Sequence, residues 1–203
     1  MPVTARSRLK FFRGFAARPR QVGAVMPSGR NLAAAMVEGL PLTAAGSVVE
    51  FGPGTGPFTR ALLDARPAGH RYLGVELSRH FVNHLRGRFP SADAAEFVHG
   101  SAADAWQLHA ERGLPPAEAV ICGLPFASLP HKVQDGVVTA IDRLLEGGGT
   151  FRTFQYVHAF NMANARRFRA RMDALFGPGE CAARVIKNVP PACVMSWTRP
   201  AGG

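Results

Sequence analysis

Acidic residues are scarce in this chain of 203 residues, and none precedes Glu38. Arg6, Arg8, Lys10, Arg13, Arg18, Arg20 and Arg30 all come before that first carboxylate, and 24 Lys and Arg against 14 Asp and Glu give a formal net charge of +10. Such a surface attracts phosphate-bearing partners, whether nucleic acid or an anionic lipid leaflet, and charge alone does not choose between them. Cysteine is nearly as sparse. Cys122, Cys181 and Cys193 follow no metal-ligand spacing, and an odd count without a signal peptide points to reduced core thiols in the cytosol. No apolar run approaches the ~20 residues of a spanning helix, so any membrane contact is expected to be peripheral. Internal repeats and low-complexity tracts are also missing. What remains, 47% hydrophobic residues in a chain of this length, suffices for a domain with a buried core.

Past the N-terminal arm, β-like and helix-like segments alternate: 47–51 then 57–65, 72–76 then 79–89, 96–99, and 119–122 then 132–145. That alternation predicts parallel strands joined by crossover helices in a doubly wound α/β domain. After 150–156 and a helix over 159–175, two β-like runs, 181–189 and 192–198, are separated by Pro190 and Pro191. So short a separation predicts an antiparallel hairpin at the end of an otherwise parallel sheet.

The stretch VVEFGPGTGPFTRALL, residues 48–63, sets Gly52, Gly54 and Gly56 between the first strand and the first crossover helix. Glycines at alternate positions let the chain turn tightly while a ligand lies against bare backbone. Glu76 ends the next strand, where an acidic side chain can bind ribose hydroxyls, so the two features together point to a nucleoside cofactor. The spacing is GxGxG and not the GxGxxG of dinucleotide folds, which favours S-adenosylmethionine over NAD. The plainer alternative is that these glycines only close a strand–helix turn and Glu76 only ends a strand.

Residues 50–56, EFGPGTG, resemble the first motif of Rossmann-like, S-adenosylmethionine-dependent methyltransferases, whose sheets end in a similar hairpin. Within that superfamily, RPRQVGAVMPSGRNLAAAM (18–36), CGLPFASLP (122–130), FQYVHAF (154–160) and NVPPACVMSWTR (188–199) are similar to the bacterial phospholipid N-methyltransferases, also called phosphatidylethanolamine N-methyltransferases. The resemblance implies a class I fold: a mostly parallel seven-stranded sheet, a C-terminal antiparallel hairpin and an N-terminal amphipathic helix. It divides the chain into 1–40, with membrane-binding and cofactor-lid helices, and 41–203, the methyltransferase core. The implied cofactor set is Glu50, Gly52, Gly54, Gly56, Glu76, Ser101, Ala102, Gly123, Pro27 and Ser28. The product form of the cofactor is S-adenosylhomocysteine. Where many such enzymes hold the adenine amine with an Asp after the third strand, this chain has Gly100-Ser101-Ala102, with Asp104 displaced. The Ser101 hydroxyl is the expected substitute. Ser28 is expected to cap a helix through 31–37.

At helical periodicity Arg6, Lys10 and Arg13 share one face of the arm, and Phe11, Phe12 and Phe15 lie on the opposite arc. Such a helix can lie in a lipid interface, or its phenylalanines can pack on the domain. The lipid family's need to reach a head group favours the interface. A run of Arg166, Arg167, Arg169 and Arg171 reads as a solvated face, with an anion contact as the lesser alternative.

Leu124, Pro125 and Phe126 are the expected substrate contacts, beyond the fourth strand's carboxyl end. Adenine methyltransferases with this layout carry a polar side chain at the motif's first position, where Gly123 stands. Backbone carbonyls and the Phe126 ring suit an aliphatic amine, whose methylated ammonium is drawn to an aromatic face; Phe126 fits a core position equally well. Tyr156 and His158 follow the fifth strand and are the catalytic candidates for taking the proton an ammonium must lose, with His131 a weaker one.

These readings converge on N-methylation of phosphatidylethanolamine and its mono- and dimethyl derivatives toward phosphatidylcholine. The implied partners are a phospholipid substrate and an anionic membrane surface on the cytoplasmic face, with no metal, no nucleic acid and no obligate protein partner. The alternatives are another amine lipid, an rRNA adenine N6-methyltransferase, and a non-enzymatic binding module. Gly123 and a chain ending just after the hairpin weigh against the RNA enzyme, and the intact glycines with Glu76 weigh against the last.

Overall fold

β1 (Ser47–Phe51) reads Ser-Val-Val-Glu-Phe and is buried at all five positions. A strand covered on both faces is a near-continuous run of β-branched and aromatic residues, and this one is an interior strand of its sheet. The computed structural model describes residues 27–90 and 92–201. Over them the elements are α1 (Pro27–Val37), β1, α2 (Pro57–Ala65), β2 (Arg71–Glu76), α3 (Arg79–Arg88), β3 (Ala95–His99), α4 (Ala105–Ala110), β4 (Ala117–Cys122), α5 (His131–Leu144), β5 (Gly149–Tyr156), α6 (Ala163–Phe176), β6 (Glu180–Val185) and β7 (Ala192–Arg199). Short 3-10 turns lie at Ala102–Asp104, Phe126–Ser128 and Val157–Ala159.

The seven strands form one sheet in the order β3-β2-β1-β4-β5-β7-β6. β1 to β5 pair in parallel, while β7 runs antiparallel to both β5 and β6. The order reverses between β1 and β4, and the crevice outside the carboxyl ends at that switch is where open α/β sheets take ligands. Two apolar clusters sandwich the sheet. Leu32 and Met36 of α1, Phe58 and Leu62 of α2, and Val82 and Leu85 of α3 pack on one face. Val137, Val138 and Ile141 of α5 and Phe168 and Met172 of α6 pack on the other. Arg152 of β5 ties α1 to the sheet by donating to Glu38 O at the end of that helix, where the helix dipole favours a cation.

The fold is the one the sequence predicts, with local corrections. The helix begins at Pro27, so Ser28 lies inside its first turn and not ahead of it as a cap. A proline suits a first helical position because the missing N–H would have no partner there. β6 stops at Val185 and not at position 189, because Asn188 N donates to Val185 O (3.2 Å) and turns the chain. Nor are all three thiols reduced. The hairpin brings Cys181 and Cys193 to a Cα–Cα distance of 6.1 Å, where they are joined as a disulfide. Cys122 is free and buried, and burial pushes its thiol up to about 12. Among the described residues no helix is long and apolar enough to cross a membrane. The arm residues Arg6, Lys10, Phe11, Phe12, Arg13 and Phe15 lie outside the described residues.

Candidate active site

Three of the five parallel strands hand over to a glycine. Gly52 N donates to Val75 O (2.9 Å), Gly100 N to Glu76 O (3.0 Å) and Gly123 N to Phe51 O (3.0 Å), so three side-chain-free residues follow β1, β3 and β4 at one sheet edge. In the first loop Gly52, Gly54 and Gly56 have φ of 67°, 57° and 83°, which L side chains rarely adopt. A Cβ on Gly54 would meet nothing nearer than Gly52 O at 4.0 Å, so the outer wall of the loop is open backbone. Pro57 then starts α2, whose N-terminus adds partial positive charge at the same spot.

Two carboxylates serve this loop differently. Glu76 is 6% exposed; its Oε2 accepts from Gly54 N (3.0 Å) and its Oε1 from Ser78 N (2.8 Å). Burial raises its pKa, and the backbone donors partly offset that. Each oxygen keeps a lone pair for a further donor such as a ribose hydroxyl. Glu50 is fully buried. Its Oε2 accepts from Tyr72 Oη (2.6 Å) and Thr59 Oγ1 (2.8 Å), while Oε1 is buried without a hydrogen-bond partner among the described residues. Burial pushes this carboxyl up to about 7. An orphaned carboxylate oxygen close behind an open glycine loop fits the ammonium of an amino-acid-bearing nucleoside cofactor.

Ser101 Oγ accepts from Ala103 N (3.2 Å), capping the turn that contains Ala102, so its own O–H remains the group that can donate to a ligand.

On the acceptor side, Gly123 is dictated by close approach: a Cβ there would come within 3.1 Å of Gly52 O. Leu124 is buried against Gly52, and Pro125 is half-buried. The Phe126 ring takes the core one of its two alternatives. It is 2% exposed and stacks on Phe168 at 3.6 Å between centroids, so its faces belong to the core and cannot receive an ammonium. Its backbone carbonyl is held by Gln134 Nε2 (2.7 Å), and Asn164 Nδ2 holds Leu129 O (3.2 Å). Thr153 Oγ1 donates to Cys122 O (3.0 Å). The loop is therefore clasped from α5, α6 and β5.

Tyr156 is half-buried at the end of β5 and exposed His158 stacks on it, centroids 5.6 Å apart and planes 12° from parallel. Burial raises the pKa of the Tyr156 hydroxyl, which keeps it neutral and able both to donate and to accept. His131 is committed elsewhere, its Nε2 3.0 Å from Asn164 Oδ1. On α6, Arg167 and Arg171 pair with Asp135, and Arg169 donates to Phe160 O (2.8 Å) and lies over the Phe160 ring. Only exposed Arg166 of that run is left facing solvent without an ion pair among the described residues.

The sequence alone does not mark Thr59, Tyr72, Gln134 or Asn164 as site residues. A threonine three residues after Gly56, on the buried face of α2, was a legible signal. Gln134 had none, because a glutamine on an amphipathic helix ordinarily faces water.

The Methyltransferase domain family matches residues 48–149, half of the chain. The ornithine lipid N-methyltransferase of Singulisphaera acidiphila is 30% identical over 171 residues, covering 84% of this chain and 85% of that protein. Among solved structures, a chain of the complex between the Haloferax volcanii Trm112 methyltransferase activator and a methyltransferase superposes with a TM-score of 0.65 at 17% identity, covering 96% of this chain and 98% of that one. The O-methyltransferase of Bacillus cereus, solved with S-adenosylhomocysteine, gives 0.62 at 13% identity, covering 98% and 93%. With the family match spanning the glycine loop, Glu76 and the β4 edge, the chain belongs to the class I methyltransferases, and S-adenosylmethionine is its cofactor.

Proposed function

We propose that the protein transfers methyl groups to the primary amine of a membrane lipid, with phosphatidylethanolamine as the acceptor. The observation that carries the lipid-amine acceptor is the 30% identity to an ornithine lipid N-methyltransferase over most of both chains, and the resemblance of residues 122–130, 154–160 and 188–199 to the phospholipid N-methyltransferases supports phosphatidylethanolamine within that class. The cofactor supplies a methyl group already activated on a sulfonium. In this reading Glu76 binds the ribose, the open backbone at Gly54 lies against the cofactor, and Glu50 Oε1 answers its ammonium. Ser101 donates toward the adenine, and Ala102, Pro27 and Ser28 line the same pocket.

The chain's remaining task is to present an amine with a free lone pair in line with the methyl, and positioning supplies much of the rate of such a transfer. The carbonyls of the Gly123–Pro125 stretch accept from the amine. Tyr156 orients it through its neutral hydroxyl, and His158 takes the proton the ammonium must lose. The lipid is reached from the cytoplasmic membrane surface, with the basic N-terminal arm as a peripheral anchor.

A second reading is supported by the same relative: the acceptor is the amine of ornithine lipid. Expression in a bacterium that makes phosphatidylethanolamine but no methylated lipid, followed by lipid mass spectrometry, tests the first reading. N-methylated phosphatidylethanolamines are expected. An unchanged extract, with methylation appearing only when ornithine lipid is co-produced, moves the assignment to the second.

A further inference from the structure

The turn between β6 and β7, residues 186–191, is built with its polar residue inside and its apolar residues outside. Asn188 is 5% exposed, its Nδ2 donating to Pro190 O (2.7 Å). Ile186 and Val189 on either side of it are 77% and 75% exposed. Exposing two branched aliphatic chains while burying an amide inverts the usual preference, and the Asn188 staple is what holds the inversion in place. Val157 N donates to Pro191 O (2.9 Å), so the segment after β5 abuts this turn, and Val157 and Met162 are exposed there as well. Four of the six exposed large hydrophobic residues among those described therefore lie on two adjoining loops, beside Tyr156.

Along the two loops and their flanks the charge has one sign. No Asp or Glu occurs between Glu146 and Asp173, or after Glu180, whereas Arg184, Lys187 and Arg166 are exposed in or next to the two loops. Side chains three-quarters exposed project from the surface and do not line a groove, which suits a fluid interface better than a folded protein partner. Aliphatic tips interleaved with cations are the chemistry of an anionic leaflet: the tips enter the acyl boundary and the cations sit among phosphates.

We propose that the loops after β5 and between β6 and β7 form a docking surface for an anionic lipid bilayer, with Ile186 and Val189 inserted and Lys187 and Arg184 on phosphates. The surface is distinct from the N-terminal arm and brings the bilayer to the Tyr156 side of the sheet edge. Its purpose rests on the lipid reading above, but its measurement does not.

The test is flotation of the full chain with vesicles of phosphatidylglycerol and phosphatidylethanolamine, without cofactor. The Ile186→Ser/Val189→Ser double variant is expected to partition at least about tenfold more weakly than wild type, since each buried aliphatic side chain adds to partitioning. Leu175→Ser, an exposed apolar residue at the far end of α6, serves as control and is expected to leave partitioning unchanged. Unchanged S-adenosylmethionine affinity in the double variant shows that it is folded. In a separate Ile186→Trp variant, brominated acyl chains are expected to quench the added indole. Equal flotation of wild type and double variant, or an unquenched indole at position 186, overturns the proposal. So does loss of self-association in the double variant with flotation intact, which would assign the patch to a second copy. Flotation that depends on Ile186 and Val189 while wild type methylates no lipid upholds the docking surface and removes the lipid-methylation reading. Lipid methylation with indifferent flotation does the reverse.

Discussion

Tyr72 donates its hydroxyl to Glu50 Oε2 at 2.6 Å across adjacent strands, and neither side chain reaches solvent. Because Thr59 donates to the same oxygen, the carboxyl is fixed in orientation with Oε1 left over. A buried carboxyl with only neutral donors resists ionisation, which is why its pKa stands near 7.

The pH dependence of stability follows from that shift. The unfolded chain loses this proton near pH 4.5, the folded chain only near 7. Between those values the folded state binds more protons, so Glu50's contribution is fully present below about pH 4.5 and is lost as pH rises through about 7. The loss is on the order of 3 kcal/mol. Glu50→Gln should flatten this slope in denaturant titrations and stabilise the cofactor-free protein at pH 8. An unchanged slope would show that Glu50 ionises normally.

Cofactor affinity should run the other way with pH. An ammonium beside Oε1 favours the ionised carboxyl, so S-adenosylmethionine affinity is expected to rise up to about pH 7 and level off above it. Calorimetry across pH 5.5 to 8.5 checks this, and affinity independent of pH would remove Glu50 from cofactor binding.

Glu76→Ala should weaken S-adenosylmethionine binding by about tenfold or more, from lost ribose hydrogen bonds and from releasing Gly54 N, at roughly 1.5–3 kcal/mol for a hydrogen bond to a charged group. Equilibrium dialysis with labelled cofactor measures it; wild-type affinity would exclude Glu76 from the pocket.

Gly123→Ala tests whether that glycine answers to packing. Its Cβ would press on Gly52 O at 3.1 Å, and a backbone carbonyl has little room to yield. A destabilisation of about 1–3 kcal/mol, with a larger loss of methyl transfer than of cofactor affinity, is expected. Full activity would mean the two loops are not held at this separation.

Replacing Phe11, Phe12 and Phe15 with serine should reduce vesicle flotation strongly and leave cofactor affinity unchanged. Persistent flotation from this triple variant would remove the arm from membrane binding.

Much of the fold was legible because it rests on local signals. The apolar run of β1, the alternation of periods and the glycine spacing are each contained in a few consecutive residues. What escaped depends on partners distant in the chain. Phe126 reads equally well as a substrate wall or a core ring until Phe168 stacks on it. Gln134 reads as a solvated face until the backbone of residues 126–129 closes over it. The Cys181–Cys193 pairing needs the hairpin register, and the short β6 needs the Asn188 turn, neither of which composition encodes. Asn188 also hid the exposed Ile186 and Val189, since an apolar run ending in prolines reads as buried strand.

The most direct measurement is methyl transfer from labelled S-adenosylmethionine to vesicles containing phosphatidylethanolamine, beside vesicles containing ornithine lipid and a structured rRNA fragment, with products separated by chromatography. Label in mono-, di- or trimethylated lipid is the predicted result. Label confined to the RNA, with both lipids untouched, would contradict the account.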